Sequence, residues 1–269
     1  MKAIAVTSRF VTFVALATLS AVAVRAQTPG QKPPPSADSL HAIEQRGSRL
    51  ARYDFVAWVA TDSLLARGVK LEPGGLYVVR PVSDGTWEAV FGRLNAATGA
   101  FLIDYIVRQR HANPTQLDVE AFATPYPDTG FVLRAARAIT AATRDFGPQQ
   151  RPYNASILEQ PDGGLFVYLM PAQLRQDVFP LGGDVRYHFS PDGRQLLAKR
   201  RLHNAILEFS ASIAGGNTLQ AGTHRAVLDD IPEDTDVFHV LVRKPRVPEY
   251  VVTDEFLYGI SPDGHIRLV

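Results

Sequence analysis

The sequence VRYHFSPDGRQLLAKRRLH, residues 185–203, contains two strand-like runs joined by a tight turn. The runs are Val185–Ser190 and Arg194–His203, and the turn is Pro191-Asp192-Gly193. Proline presets its own φ, aspartate hydrogen-bonds to nearby backbone, and glycine adopts a positive φ without steric cost. The stretch therefore predicts a β-hairpin, which makes antiparallel pairing the expected organisation of this part of the chain.

The same turn chemistry recurs at Pro161-Asp162-Gly163 and Pro262-Asp263-Gly264, and strand-like runs flank both triplets. The runs predicted as strands in this half are Asn154–Glu159, Leu165–Pro171, Val237–Arg243, Tyr250–Thr253, Phe256–Ser261 and His265–Val269. We expect hairpins across both triplets. The C-terminal half is therefore predicted to be rich in antiparallel strands.

The N-terminal half shows three further strand-like runs separated by short turns. These runs, Leu76–Pro81, Thr86–Asn95 and Ala100–Arg108, predict an antiparallel meander. The proline-rich segment 111–128 follows and is predicted to cross the structure with a short strand at Leu117–Phe122. Local turn spacing of this kind argues against a parallel sheet built from strand–helix–strand units.

Two segments have the apolar spacing of amphipathic helices, from Ser39 to about Arg67 and over residues 129–146. Gly147-Pro148 ends the second, because proline cannot continue a helix. The predicted fold class is therefore α+β, a mostly antiparallel sheet system with two main amphipathic helices packed on it.

The N-terminus has the pattern of a secretory signal. Lys2 and Arg9 precede an apolar run of about 15 residues, 10–24, and small or moderate side chains at Val24 and Ala26 suit a cleavage site. We predict a signal peptide at 1–26, a proline-rich disordered linker at 27–38, and one globular domain at 39–269, with possible sub-layers 39–150 and 151–269. The predicted location is periplasmic or secreted; an uncleaved anchor helix is the alternative.

Composition limits the classes of partner. After residue 26 the chain carries 25 basic and 27 acidic residues, because Lys2, Arg9 and Arg25 precede that point. The chain therefore lacks the excess of basic residues that is typical of nucleic-acid-binding proteins. No later apolar run is long enough to span a membrane. The chain has no cysteine, so it forms no disulfides, and stability depends on a packed core. The sequence does not identify a partner.

Three short segments resemble a group of exported proteins of Gram-negative bacteria. They are Tyr53–Asp62, Phe91–Leu94 and Gly182–Arg186. This resemblance implies a location outside the cytoplasm and implies no particular activity.

The histidines provide the candidate metal ligands. No two of the seven are two, three or four residues apart, so there is no local ligand pair. A catalytic zinc site needs about three protein ligands, and here these would have to converge from separate strands.

One stretch resembles the metal-binding loop of the JAMM metallo-isopeptidase family. His224, Pro232 and Asp236 match the first histidine, the proline and the aspartate of that motif, whereas Ala226 and Glu233 replace its second histidine and its serine. The resemblance extends in topology over about residues 129–269. It implies zinc ligation by His224 and Asp236, with His203 or His239 as the missing ligand. It also implies Glu159 as the general base.

Two classes of function follow from these patterns. The first is a non-enzymatic exported protein with a binding or structural role in the cell envelope, because no complete nucleophilic or phosphate-binding motif is present. The second is a zinc-dependent, JAMM-like hydrolase in complete or degenerate form, and zinc is expected as a cofactor only in this case. A lesser alternative is a sugar- or peptide-binding module using Trp58, Trp87 and Tyr168. Whether the protein is an enzyme stays open at this point.

Overall fold

The computed structural model describes residues 32–111, 113–210 and 219–269. The predicted signal peptide at 1–26 and residues 27–31 of the predicted linker at 27–38 lie outside these residues. The chain from Pro34 to Val269 forms one compact unit. In the described residues, no helix has both the length and the apolar character needed to cross a membrane.

The described residues form three helices and fourteen strands, which confirms the α+β class. The helices are α1 (Ala37–Leu65), α2 (Phe131–Phe146) and α3 (Asp234–Val242). The strands are β1 (Leu76–Pro81), β2 (Trp87–Leu94), β3 (Phe101–Arg110), β4 (Asn113–Asp128), β5 (Tyr153–Glu159), β6 (Leu165–Pro171), β7 (Val178–Gly182), β8 (Val185–Phe189), β9 (Leu196–Arg201), β10 (Ile206–Ser210), β11 (Gly222–Arg225), β12 (Glu249–Val252), β13 (Leu257–Ile260) and β14 (Ile266–Leu268).

The strands form four sheets in the described residues, with orders β1-β2-β3-β4, β5-β6-β8-β9, β7-β10 and β11-β12-β13-β14. All neighbouring strands are antiparallel except β11 and β12, which are parallel. The hairpins predicted at the three Pro-Asp-Gly turns are confirmed as β5–β6, β8–β9 and β13–β14.

The structure corrects one predicted strand in the C-terminal half. Val237–Arg243 was predicted as a strand from its valines and phenylalanine, but most of it belongs to α3. The helix begins with a capping box, in which the side chains of Glu233 and Asp236 each accept a hydrogen bond from the backbone N–H of the other residue.

Two other strands differ from the prediction. β4 is longer than the short strand predicted at Leu117–Phe122. The pairing of β7 with β10 was not predicted.

The long helix α1 links two parts of the core. Its C-terminal half, including Tyr53 and Leu64, belongs to the largest apolar cluster, which contains residues of α2 and of the sheets on both sides of residue 150. Ile43, nearer its N-terminus, belongs to the smaller cluster around α3 and the C-terminal sheet. At Gly47 a Cβ would lie only 2.5 Å from Cβ of Val237, so glycine permits the close contact between α1 and α3. α3 is therefore fixed against the rest of the molecule.

Candidate metal centre

Three side chains with metal-ligating atoms converge beside the first turn of α3: His203, His224 and Asp236. The Oδ1 atom of Asp236 lies 3.0 Å from Nε2 of His203 and 3.1 Å from Nε2 of His224. The two imidazole ring centroids are 5.7 Å apart. Among residues 32–111, 113–210 and 219–269, this is the one group of three or more such side chains whose ligand atoms all lie within 4.8 Å of one another. The structure thus brings together three of the four ligands predicted from the sequence.

Two of these side chains are oriented by regular secondary structure. His224 lies on β11, where it is buried while Thr223 and Arg225 on either side face outward. Asp236 lies in the first turn of α3, and its Oδ2 accepts a hydrogen bond from the backbone N–H of Glu233 at 2.7 Å. This capping interaction occupies Oδ2 and directs Oδ1 towards the two histidines.

The third side chain, His203, lies just after β9. Its position depends on Gly182 at the end of β7. Gly182 has a φ of 86°, and a Cβ there would lie 2.3 Å from the carbonyl oxygen of Ala205. The backbone N–H of Leu202 donates a 3.1 Å hydrogen bond to the carbonyl of Asp184. Glycine therefore allows the segment after β9 to pack closely on the turn between β7 and β8.

The second ring nitrogen of each histidine contacts another carboxylate. Nδ1 of His203 lies 2.7 Å from Oδ1 of Asp184, and Nδ1 of His224 lies 2.9 Å from Oε1 of Glu249. Glu249 also accepts a 2.6 Å hydrogen bond from Nη1 of the buried Arg243. Because an ionised carboxylate only accepts, each Nδ1 carries a proton. Each Nε2 is the atom that faces Asp236. Metal-binding histidines typically have this arrangement.

The charges of the cluster are strongly coupled. Burial by itself lowers the pKa of His203, but the carboxylates of Asp236 and Asp184 outweigh it and raise that pKa to about 11. Burial is likewise outweighed at His224, whose pKa rises to about 9 beside Asp236 and Glu249. Burial favours the neutral form of Asp236, yet the two histidines hold its pKa well below the usual range. In the metal-free protein both rings are therefore protonated at neutral pH.

Two of the three separations between the ligand atoms suit a divalent ion in place of the two Nε2 protons. Tetrahedral zinc with nitrogen and oxygen ligands at about 2.0–2.1 Å has ligand atoms about 3.3 Å apart, close to the 3.0 and 3.1 Å separations around Asp236. The three carboxylates of the network balance two protonated rings and the Arg243 guanidinium. Exchange of two protons for one divalent ion preserves that balance. Two imidazoles and one carboxylate suit zinc, and also iron or cobalt.

Buried polar atoms without a hydrogen bond are concentrated here. In the described part of the chain there are eight such side-chain atoms, and five of them belong to His224, Thr235, His239 and Arg243. Nε2 of His224 is one of them, although it lies 3.1 Å from Oδ1 of Asp236 in an ion pair. Leaving a buried polar atom unsatisfied costs about 1–3 kcal/mol. A bound ion would satisfy this nitrogen.

No protein-family model, curated protein or solved structure matches the chain. Relatives therefore assign neither a family nor an activity. The resemblances to the JAMM family and to exported proteins stay predictions from the sequence. The chemistry of the site has to be inferred from its own geometry.

Glu159, the predicted general base, does not join the cluster. Glu159 pairs with Leu165, the first residue of β6. Asp184 directly precedes Val185, which pairs with Leu169, four residues farther along β6. Four residues of strand span about 13 Å. Oε1 of Glu159 instead accepts a 2.9 Å hydrogen bond from Arg134. The geometry gives no support to a catalytic role for Glu159.

His239, the fourth predicted ligand, lies beside the cluster but outside the ligand set. It is one turn after Asp236 on the same face of α3, and it is 1% exposed. Burial and then the charge of Arg243 lower its pKa to about 3, whereas Asp236 and the carbonyl of Pro180 act in the opposite direction. The ring is therefore neutral at physiological pH. Neither ring nitrogen makes a hydrogen bond within the described residues.

Sequence reasoning missed the residues that support the ligands, Asp184, Glu249 and Arg243. One local signal is the glycine two residues before His224. A Cβ at Gly222 would lie 1.9 Å from Oε2 of Glu249 and 2.7 Å from Nη1 of Arg243. Glycine is therefore needed at position 222 because the side chains of Glu249 and Arg243 occupy the space that a Cβ would take.

Two surface cavities lie elsewhere. One, of about 430 Å³, is lined by residues that include Trp87 and Glu159, and the other, of about 650 Å³, by residues that include Tyr77 and Phe91. Neither includes a residue of the cluster. Tyr168, which was considered for a sugar- or peptide-binding surface, is fully buried and donates a hydrogen bond to Asp234.

Proposed function

We propose that this protein binds one zinc ion through Nε2 of His203, Nε2 of His224 and Oδ1 of Asp236. The observation that carries the proposal is the convergence of these three atoms while both Nδ1 atoms are held by further carboxylates. A metal site requires three such atoms around one point, and the second nitrogen of a metal-binding histidine is usually held by a carboxylate or carbonyl, as here.

We infer a structural role for the ion as part of this function. His203 follows β9, His224 lies on β11 and Asp236 lies on α3, so one ion would join three segments that are separate in sequence. A ligand that binds only the folded protein stabilises it in proportion to the logarithm of its concentration. With no cysteine in the chain, a metal ion provides a cross-link that disulfides do not.

A zinc-dependent hydrolase is the second candidate. The observation in its favour is the number of protein ligands, because three ligands leave one position of a tetrahedral ion for a substrate or water. Against it, Glu159 lies at the far end of the neighbouring sheet and makes an ion pair with Arg134. The test of this candidate is an assay for cleavage of an isopeptide-linked substrate, which should occur with zinc and stop when zinc is removed.

The metal content of the purified protein tests the proposal. After expression with zinc and dialysis, we expect about one zinc per chain by mass spectrometry of the metal. His224→Ala is expected to retain less than a tenth of that amount, because it removes one of three ligands. His188→Ala is the matched control, since His188 is a half-buried histidine on β8 that packs against Phe166. Equal zinc content in the wild type and in His224→Ala would contradict the proposal.

We further propose that this zinc-binding protein acts in the periplasm or outside the cell. The support is the basic start, the short apolar run and the small side chains near Ala26, followed by a proline-rich stretch. N-terminal sequencing of the protein from cells that express the full chain is expected to begin at Gln27. A polypeptide that begins at Met1 in the cytosol would refute the location without affecting the metal site.

A further inference from the structure

His239 has the features of a group that contacts something other than the protein. Its ring is 1% exposed, and both of its nitrogens lack hydrogen-bond partners in the described residues. A neutral imidazole has one donor and one acceptor, so two unsatisfied atoms are buried on a single side chain. Buried polar groups nearly always have a partner. Within the described residues the carbonyl of Pro180 acts on this ring, but no contact there meets hydrogen-bond geometry.

The position of His239 relates it to the metal centre. It follows Asp236 by three residues, so both side chains project from the same face of α3. The charges of Asp236 and His224 both act on its ring. Its nitrogens nevertheless fall outside the group of ligand atoms within 4.8 Å of one another. His239 therefore lies beside the three ligand atoms without belonging to their set.

Resting on the zinc site proposed above, we propose that His239 hydrogen-bonds to a small exogenous ligand in the fourth coordination position of the ion. That ligand has the size of water or azide and offers an oxygen or nitrogen atom to the ion. It supplies the hydrogen-bond partner that the ring otherwise lacks.

Burial limits the size of this ligand. Asp236 is fully buried, and the side chain of His224 is 1% exposed. The ring of Phe209 covers His239 with centroids 4.9 Å apart, and the guanidinium carbon of Arg243 lies 5.6 Å from the Phe209 ring. Of the three metal ligands only His203, at 9% exposure, offers an approach from solvent.

Azide titration of the cobalt-substituted protein tests the inference, because cobalt(II) reports its coordination in the visible spectrum. In the wild type we expect a saturable spectral change with azide. His239→Phe keeps a ring of similar size without nitrogen atoms, and we expect it to bind one cobalt per chain with azide affinity at least 10-fold weaker. His239→Asn restores a hydrogen-bonding group and is expected to recover part of that affinity. His188→Phe is the control and is expected to match the wild type.

The outcomes separate the two proposals. Absence of cobalt binding by the wild type would refute the metal site itself. Loss of cobalt from both folded His239 variants would show that His239 is a ligand, which overturns this inference and leaves the metal site intact. No response of the wild type to azide, or equal azide affinity in the wild type and His239→Phe, would also overturn it.

Discussion

Zinc is expected to raise the midpoint of thermal unfolding by about 10 °C when its concentration is about 1,000 times the dissociation constant. Binding at that ratio stabilises the folded state by about 4 kcal/mol, and about 1 kcal/mol shifts the midpoint by roughly 2–4 °C in a domain of this size. The effect depends on folding, because His203, His224 and Asp236 meet only in the folded chain. Circular dichroism during heating, with zinc and then with excess EDTA, measures it.

Variants distinguish this effect from non-specific binding. His224→Ala is expected to lose the zinc-dependent shift, whereas His188→Ala is expected to keep it. A shift of the same size in His224→Ala would show that the stabilising ion binds elsewhere. No shift in the wild type would show that zinc does not bind the folded protein with useful affinity.

Replacement of Asp236 by asparagine is expected to destabilise the metal-free protein by about 3–5 kcal/mol, the usual cost of removing one partner from a buried charge network. Asparagine has nearly the same shape, and its amide oxygen can still accept the hydrogen bond from the backbone N–H of Glu233, so the change removes mainly the charge. His203 and His224 would then lose the carboxylate that stabilises both protonated rings. Urea unfolding in the presence of EDTA gives the free energy of unfolding for comparison.

Asp229→Asn is the matched control for this prediction. Asp229 forms an ion pair with Arg200 at the surface, where its side chain is 41% exposed. Exposed pairs contribute about 1 kcal/mol or less, so this variant is expected to stay close to the wild type. If both variants lose the same amount of stability, the buried network around Asp236 has no special contribution.

The fold was predictable where the determining interactions are local. Each Pro-Asp-Gly triplet fixes a turn through chemistry within four residues, and all three hairpins are present. The two long amphipathic helices were recognised for the same reason. Val237–Arg243 was misassigned because valine and phenylalanine favour strands in isolation. The capping box at Glu233 and Asp236, together with packing against Gly47, makes this segment helical instead.

The site was predictable in its candidates but not in its assembly. His203, His224 and Asp236 were recognised as possible ligands because of residue type and one partial motif. The supporting carboxylates, Asp184 and Glu249, lie 19 and 25 residues from the histidines they contact, so no local spacing marks them. The contacts depend on how β8, β11 and β12 meet α3, and that is set by the packing of the whole domain.

A crystal of the protein grown with zinc, measured on both sides of the zinc absorption edge, locates the ion. One anomalous peak is expected at about 2.0–2.2 Å from Nε2 of His203, Nε2 of His224 and Oδ1 of Asp236. A peak bonded to other residues would contradict the proposed site. So would a zinc-containing crystal in which these three atoms still contact one another and no peak lies between them.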